Sequence, residues 1–121
     1  MGPYERMRDQ IASGEQAFKN LDAVQPLKHA LGLRTEARLK TKSPVLVYLY
    51  AEPAVWPDGQ SLPVSSLNLH AHEVSEFAHR VEGAEVIFRT CTYRNLLETF
   101  RRSASADVRE HGRTIRETFT P

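Results

Sequence analysis

The chain has 121 residues, of which 40% are hydrophobic and 26% are charged, and its formal net charge is +1 at pH 7. These values predict one soluble globular domain, and the small net charge excludes a global field that would attract nucleic acid or an anionic membrane. No apolar run approaches the roughly 20 residues that cross a bilayer, no apolar secretory signal begins the chain, and the lone Cys91 excludes an internal disulfide, which together favour the cytoplasm.

Two helices are predicted before the first strand. Apolar residues within 4–11 recur at helical spacing and predict a short peripheral helix. A second helix is predicted to begin at Asp22, which has capping-box spacing with Gln25, and to end at Gly32. Pro26 moves the expected start a residue or two later, because a proline on the fourth helical residue would remove the first intrahelical hydrogen bond.

The segment 45–50, Val-Leu-Val-Tyr-Leu-Tyr, is the strongest signal in the sequence. It is uninterrupted and apolar, which is typical of a strand that is covered on both faces in a parallel sheet. A Pro-, Gly- and Ser-rich loop is predicted over 52–68, a helix over 71–82 and a second strand over 86–91. A strand, helix, strand order predicts that the two strands pair in parallel.

The last part of the chain is predicted to be helical. Thr92 can cap a helix, and the run Ser103-Ala104-Ser105 is expected to break it before a second apolar stripe continues. The predicted fold is therefore α/β, with a two-to-three-stranded parallel sheet and flanking helices in the order α-α-β-α-β-α. One domain over 1–121 is expected, with a C-terminal helical extension over 103–121.

No complete catalytic motif occurs in the sequence, so the catalytic residues are unknown. His72, Glu76 and His79 share one helix face and could ligate a metal, although the same spacing fits an ordinary solvated face. Cys91 ends an apolar strand and fits a small buried side chain better than a nucleophile. We therefore expect no metal site and no cofactor.

A basic cluster follows the second predicted helix. Arg34, Arg38, Lys40 and Lys42 are opposed only by Glu36. Such a cluster can bind phosphate groups. The alternative is that these cations cap a helix and keep the following apolar strand soluble.

A family resemblance is carried by the run Gln25-Pro26-Leu27-Lys28-His29-Ala30-Leu31-Gly32-Leu33 and the apolar strand after it. The run resembles the Gln-Leu-x-x-Tyr-Ala-x-x-Leu helix of the RecB-like branch of the PD-(D/E)XK nuclease superfamily, matching at Gln25, Ala30 and Leu33. The later segments 73–78, 86–88 and 93–97 are similar to the C-terminal half of such proteins, so the nuclease-like core would span about 18–102.

The resemblance implies a restriction-endonuclease-like half fold. In that family an Asp and an acidic-x-Lys triplet upstream of the Gln helix bind a divalent metal, and this sequence contains no such triplet. The resemblance therefore implies a non-catalytic domain with weak nucleic-acid binding. Gln25 would lie beside the lost metal centre, or act only at its helix start. Of the family's site residues only Gln25 carries over. With the local basic residues, the predicted nucleic-acid-binding set is Gln25, Lys28, Arg34, Arg38, Lys40 and Lys42.

Two other functions remain open. One is a protein-interaction or regulatory module in which the 52–68 loop with Trp56 makes the contact, because exposed aromatic residues often anchor interfaces. The other is a metal-dependent enzyme of unrecognised type, which would use a divalent metal and residues among Glu52, His70, His72 and Glu76.

Oligomeric state follows from the small number of strands. A two-stranded sheet leaves each strand with an unpaired edge that can pair with another chain. We therefore expect a homodimer or a partner chain that buries the edge of the 45–50 strand or the apolar surface beside it. No membrane partner is expected.

Overall fold

The computed structural model describes residues 2–119 and, within them, five helices and two strands. The elements are α1 (Pro3–Ser13), α2 (Val24–Leu39), β1 (Val45–Tyr50), α3 (Val64–Arg80), β2 (Ile87–Thr92), α4 (Tyr93–Arg101) and α5 (Ala106–Phe119). The α/β class and the parallel pairing of the two strands are confirmed. In this described part, no helix is both long enough and apolar enough to span a membrane.

The register of the sheet is set where the strands begin. The backbone N–H of Ile87 donates to the carbonyl of Pro44 at 3.0 Å. In a parallel ladder this bond places Val45 opposite Ile87 and Val47 opposite Arg89. Because side chains alternate along a strand, these four residues lie on one face of the sheet.

The chain forms two compact units. The first contains the residues up to Tyr48 together with Ser65–Thr90, and the second contains Leu49–Val64 together with the residues from Cys91 onward.

The core of the first unit surrounds Phe77 of α3, which is fully buried. Its ring lies 4.9 Å from the ring of Phe88 in β2, measured between centroids, and 6.2 Å from that of Phe18. Tyr4 of α1 completes the cluster at 6.5 Å. Aromatic pairs at these distances add stability beyond the area they bury.

The expectation that α1 is peripheral is wrong. Tyr4 and Met7 are 2% and 1% exposed, so one face of α1 belongs to the core. The Tyr4 hydroxyl donates a hydrogen bond to the carbonyl of Val86 at 3.0 Å. Burial raises the pKa of Tyr4 to about 12, so the hydroxyl keeps the proton that it donates.

The predicted boundaries of α2 are also wrong. The helix begins at Val24 after Ala23, which offers no side-chain cap, so the Asp22 capping box does not form. It continues through Gly32 to Leu39, because the inward stripe continues to the buried Ala37 and an exposed glycine inside a helix is tolerated. The basic cluster thus begins inside a helix and not in a linker.

A buried carboxylate supports the segment before α2. Glu73 of α3 accepts backbone N–H bonds from Lys19, Asn20 and Leu21, each at 2.8 Å. Burial alone would raise the pKa of Glu73, but the three N–H donors and the nearby His70 outweigh burial and lower it. Successive N–H groups around an anion form a backbone nest, so Glu73 remains charged in the folded protein.

Helix α3 begins earlier than predicted. The sequence predicts a loop over 52–68 and a helix over 71–82, but α3 spans Val64–Arg80. Leu67, Ala71 and Val74 continue the inward stripe towards the N-terminus, and all three are at least half-buried. The serine pair that suggests a loop therefore lies in the first turn of the helix.

The helical pair of the second unit follows the prediction. Thr92 caps α4, because its hydroxyl accepts the N–H of Asn95 at 3.1 Å, and the chain leaves helical geometry before α5 begins. The two helices approach closely at Gly112, where an added Cβ would lie 2.8 Å from the Cβ of Phe100. A larger residue there would push the helices apart.

We expect Glu73→Gln to lower the free energy of unfolding by roughly 1–3 kcal/mol at pH 7, because the amide leaves buried N–H donors unsatisfied. The pKa of Glu73 is lower in the folded than in the unfolded chain, so its stabilisation is present above the unfolded pKa, near 4.5, and is lost as the pH falls through the folded value. Urea unfolding at pH 7 and below pH 4 measures the free energy of unfolding of the wild type and of the variant. The difference between wild type and variant should shrink in acid.

The matched control for that experiment is Glu76→Gln on the same helix, whose carboxylate pairs with Arg80 at 3.2 Å across one turn. It should change the free energy of unfolding by no more than about 0.5 kcal/mol. Equal losses in the two variants would contradict the assigned role of Glu73.

We expect Gly112→Ala to lower the free energy of unfolding by about 1–2 kcal/mol, because overpacking against Phe100 outweighs the helix propensity of alanine. Gly32→Ala is the control, since a Cβ on Gly32 meets nothing within 4 Å. That variant should gain about 0.5–1 kcal/mol. Urea titrations measure both, and stabilisation by Gly112→Ala would show that the contact is not tight.

Candidate interaction surface

One face of the sheet is apolar and exposed. Val45, Val47 and Ile87 are 48%, 57% and 39% exposed, and Arg89 lies beside them. We call these four residues the open sheet face. The prediction that β1 is covered on both faces is therefore wrong.

The opposite face of the sheet packs against α3. Tyr48 stacks on Phe88 with ring centroids 6.3 Å apart, and its hydroxyl lies 3.1 Å from Nε2 of His70. Phe88 in turn contacts Phe77. These contacts fix which way β1 turns its side chains, so Val45 and Val47 point away from the core.

A groove of about 540 Å³ borders the open sheet face along β2. It is formed by the end of α3, the turn after it and β2, with Val81, Val86 and Phe88 buried beneath it. In the parallel register the backbone N–H and C=O of Phe88 point away from β1. Among residues 2–119 the sheet has two strands, so each strand has one edge without a neighbouring strand, and the apolar surface lies next to these edges.

Three of the predicted nucleic-acid-binding cations are paired with carboxylates. Arg34 forms an ion pair with Glu5 of α1. The Arg38 Nε donates to Glu85 at 2.9 Å, and the Arg38 guanidinium lowers the pKa of that carboxyl group. Lys40 Nζ lies 2.6 Å from the Glu36 carboxylate. These carboxylates offset the positive charge that the sequence suggested for this region.

The remaining three predicted residues do not form one patch. Gln25 and Lys28 are exposed in the first turns of α2, and Lys42 is exposed beyond its end. A helix of 16 residues is about 24 Å long, so Lys42 is far from the other two. The structure therefore places these three residues at opposite ends of α2.

The residues considered for a metal site are exposed or contact other protein groups. Glu76 pairs with Arg80, and His79 lies 3.5 Å from Glu82 on an exposed surface. His72 is exposed, and Cys91 donates from Sγ to the Thr92 carbonyl at 3.3 Å. Among residues 2–119, no group of three or more His, Cys, Asp or Glu side chains could hold a metal ion.

The open sheet face was missed because a uniformly apolar strand carries no alternation that distinguishes an inner from an outer face. The available signal was in β2, where the charged Arg89 follows two residues after Ile87. A charged residue is rarely fully buried, so Arg89 marks the exposed face of both strands.

Comparisons with protein-family models, with curated proteins and with solved structures give no match. The resemblance to RecB-like nucleases stays a prediction.

Proposed function

We propose that this chain is a protein-interaction module that pairs with a second copy of itself through the open sheet face. The observation that supports this most directly is the exposure of Val45, Val47 and Ile87 on one side of a sheet whose other side is packed. Clustered exposed apolar side chains beside the edge of a sheet are typical of contact sites.

The chemistry of β1 favours an identical partner. The strand carries no charged residue and no proline between Val45 and Tyr50, so it lacks the charges and prolines that often protect an edge. A two-fold axis would bring an uncharged apolar surface against the same surface of the second copy. Arg89 at the margin would remain in contact with water, as is usual at an interface rim.

The nucleic-acid function implied by the nuclease resemblance has less support. The two arginines of the predicted nucleic-acid-binding set, Arg34 and Arg38, already have carboxylate partners. Exposed Lys28 and Lys42 are the residues that could still bind phosphate, and they lie at different ends of α2.

We expect wild-type protein to have the mass of two chains at micromolar concentration and Val47→Lys to have the mass of one. Burying a valine is worth about 1.5–3 kcal/mol, and each dimer contains two copies of Val47, so dissociation should be at least about 100-fold easier. Size-exclusion chromatography with light scattering measures the mass. Circular dichroism checks that the variant is folded.

Val24→Lys is the matched control, because Val24 is 43% exposed on α2 and receives the same substitution. It should leave the dimer intact. A monomeric wild-type protein, or a Val47→Lys variant that remains dimeric, would contradict the proposal.

We expect labelled duplex DNA to bind weakly and to dissociate as salt rises, since the exposed cations Lys28 and Lys42 lie at different ends of α2 and form no continuous patch. Fluorescence anisotropy at two salt concentrations tests this. Tight binding that Lys28→Ala with Lys42→Ala abolishes would favour the nucleic-acid function instead.

A further inference from the structure

The segment predicted as a long loop contains a braced hairpin that presents an aromatic side chain. Trp56 N–H donates to the Gln60 carbonyl at 2.7 Å, and Leu62 N–H donates to the Ala54 carbonyl at 2.9 Å. Asp58 supports the turn, because its Oδ1 accepts the N–H of Gln60 at 3.0 Å. Trp56 is nevertheless 53% exposed. An exposed indole on a hydrogen-bonded turn needs little backbone ordering on binding, which suits an anchor residue.

The charge of this segment is one-sided. Leu49–Val64 contains Glu52 and Asp58 and no lysine or arginine. One carboxylate oxygen of Asp58 supports the turn, and its side chain is exposed, so the carboxylate can accept a further hydrogen bond. The surface that accepts Trp56 should therefore have an apolar floor and carry positive charge.

The helical pair of the second unit provides such a surface. A groove of about 460 Å³ lies along α4 and α5, with buried Leu97 and Gly112 in its floor. This volume is within the range of pockets that hold small organic groups. We call it the arginine groove, after the residues that line it, which are Arg101, Arg109, Arg113 and Arg116.

The arginines of the arginine groove are not all neutralised by neighbouring carboxylates. Glu98 is shared, since it pairs with Arg101 at 2.6 Å and Arg102 at 3.2 Å and lies 3.9 Å from Arg116. Arg109 is exposed, and its Nη1 donates to the backbone carbonyl of Ser103 at 2.8 Å. The ion pairs among residues 2–119 give Arg109 no carboxylate partner. Arg109 can therefore bind an acidic group of another chain.

We propose that the Trp56 hairpin of one copy docks into the arginine groove of a second copy, and that the second copy does the same in return. Trp56 lies over the guanidinium groups and the apolar floor, an arrangement favoured by cation–π attraction. Asp58 pairs with Arg109. The same two patches meet twice about a two-fold axis, so a pair of copies joined in this way contains the contact twice.

A second copy fits this surface better than a polyanion does. Glu98, Glu110 and Glu117 lie among the arginines and would repel a continuous row of phosphates. A single aspartate beside an indole meets Arg109, the groove arginine to which the ion pairs among residues 2–119 give no carboxylate, and avoids that repulsion. The contact uses residues separate from the open sheet face, so it goes beyond the proposed function and can be tested independently of it.

Trp56 is the only tryptophan of the chain, so its fluorescence reports this contact directly. We expect its emission to shift to shorter wavelength, and acrylamide quenching to fall, as protein concentration rises. The same changes should occur in a Val47→Lys background at concentrations above the micromolar range in which that variant is monomeric, which separates this contact from pairing through the open sheet face.

Arg109→Asp and Asp58→Asn should each move the fluorescence midpoint to about tenfold higher concentration, because each removes two symmetry-related ion pairs. Asp58→Asn keeps the acceptor for the Gln60 N–H, so the hairpin is retained. The charge exchange Asp58→Lys with Arg109→Asp should restore the midpoint. Arg80→Asp, on α3, is the control and should leave it unchanged.

Emission that stays that of an exposed indole at all concentrations would overturn the proposal. A shift that survives Arg109→Asp, or a charge exchange that restores nothing, would also overturn it.

Discussion

The carboxylate of Glu73 is the interaction on which the first unit depends most. It accepts three successive N–H groups of residues 19–21, and these residues lead directly into α2, whose own start has no side-chain cap. One turn further along α3, Phe77 gathers the aromatic rings of the core. A single helix therefore anchors the chain before α2 by charge, and α1 and β2 by packing.

This concentration of contacts on α3 explains why the sheet is packed on one side. Tyr48 and Phe88 turn towards α3, and Tyr4 of α1 reaches the same cluster. Since side chains alternate along each strand, a strand that turns Tyr48 inward must turn Val47 outward. Exposure of the apolar valine is thus a direct consequence of how the core is organised.

The sequence allowed the class, the element order and the parallel pairing to be predicted, because periodicity is a local property. It did not reveal that Glu73 is buried, because nothing near it in sequence marks residues 19–21 as its donors. It also suggested an unopposed basic cluster, since the partners of Arg34 and Arg38 are 29 and 47 residues away. These two features depend on contacts between distant parts of the chain.

The distribution of charge separates two of the functions that the sequence left open, protein interaction and nucleic-acid binding. Around α2 the arginines are held by Glu5 and Glu85, so their positive charge supports the fold and is less available to phosphate. On β1 there is no charge at all, and desolvating its exposed valines against another chain removes apolar surface from water without burying an ion. Such a surface is better suited to contact with protein than with nucleic acid, and an identical strand meets that requirement without any further complementarity.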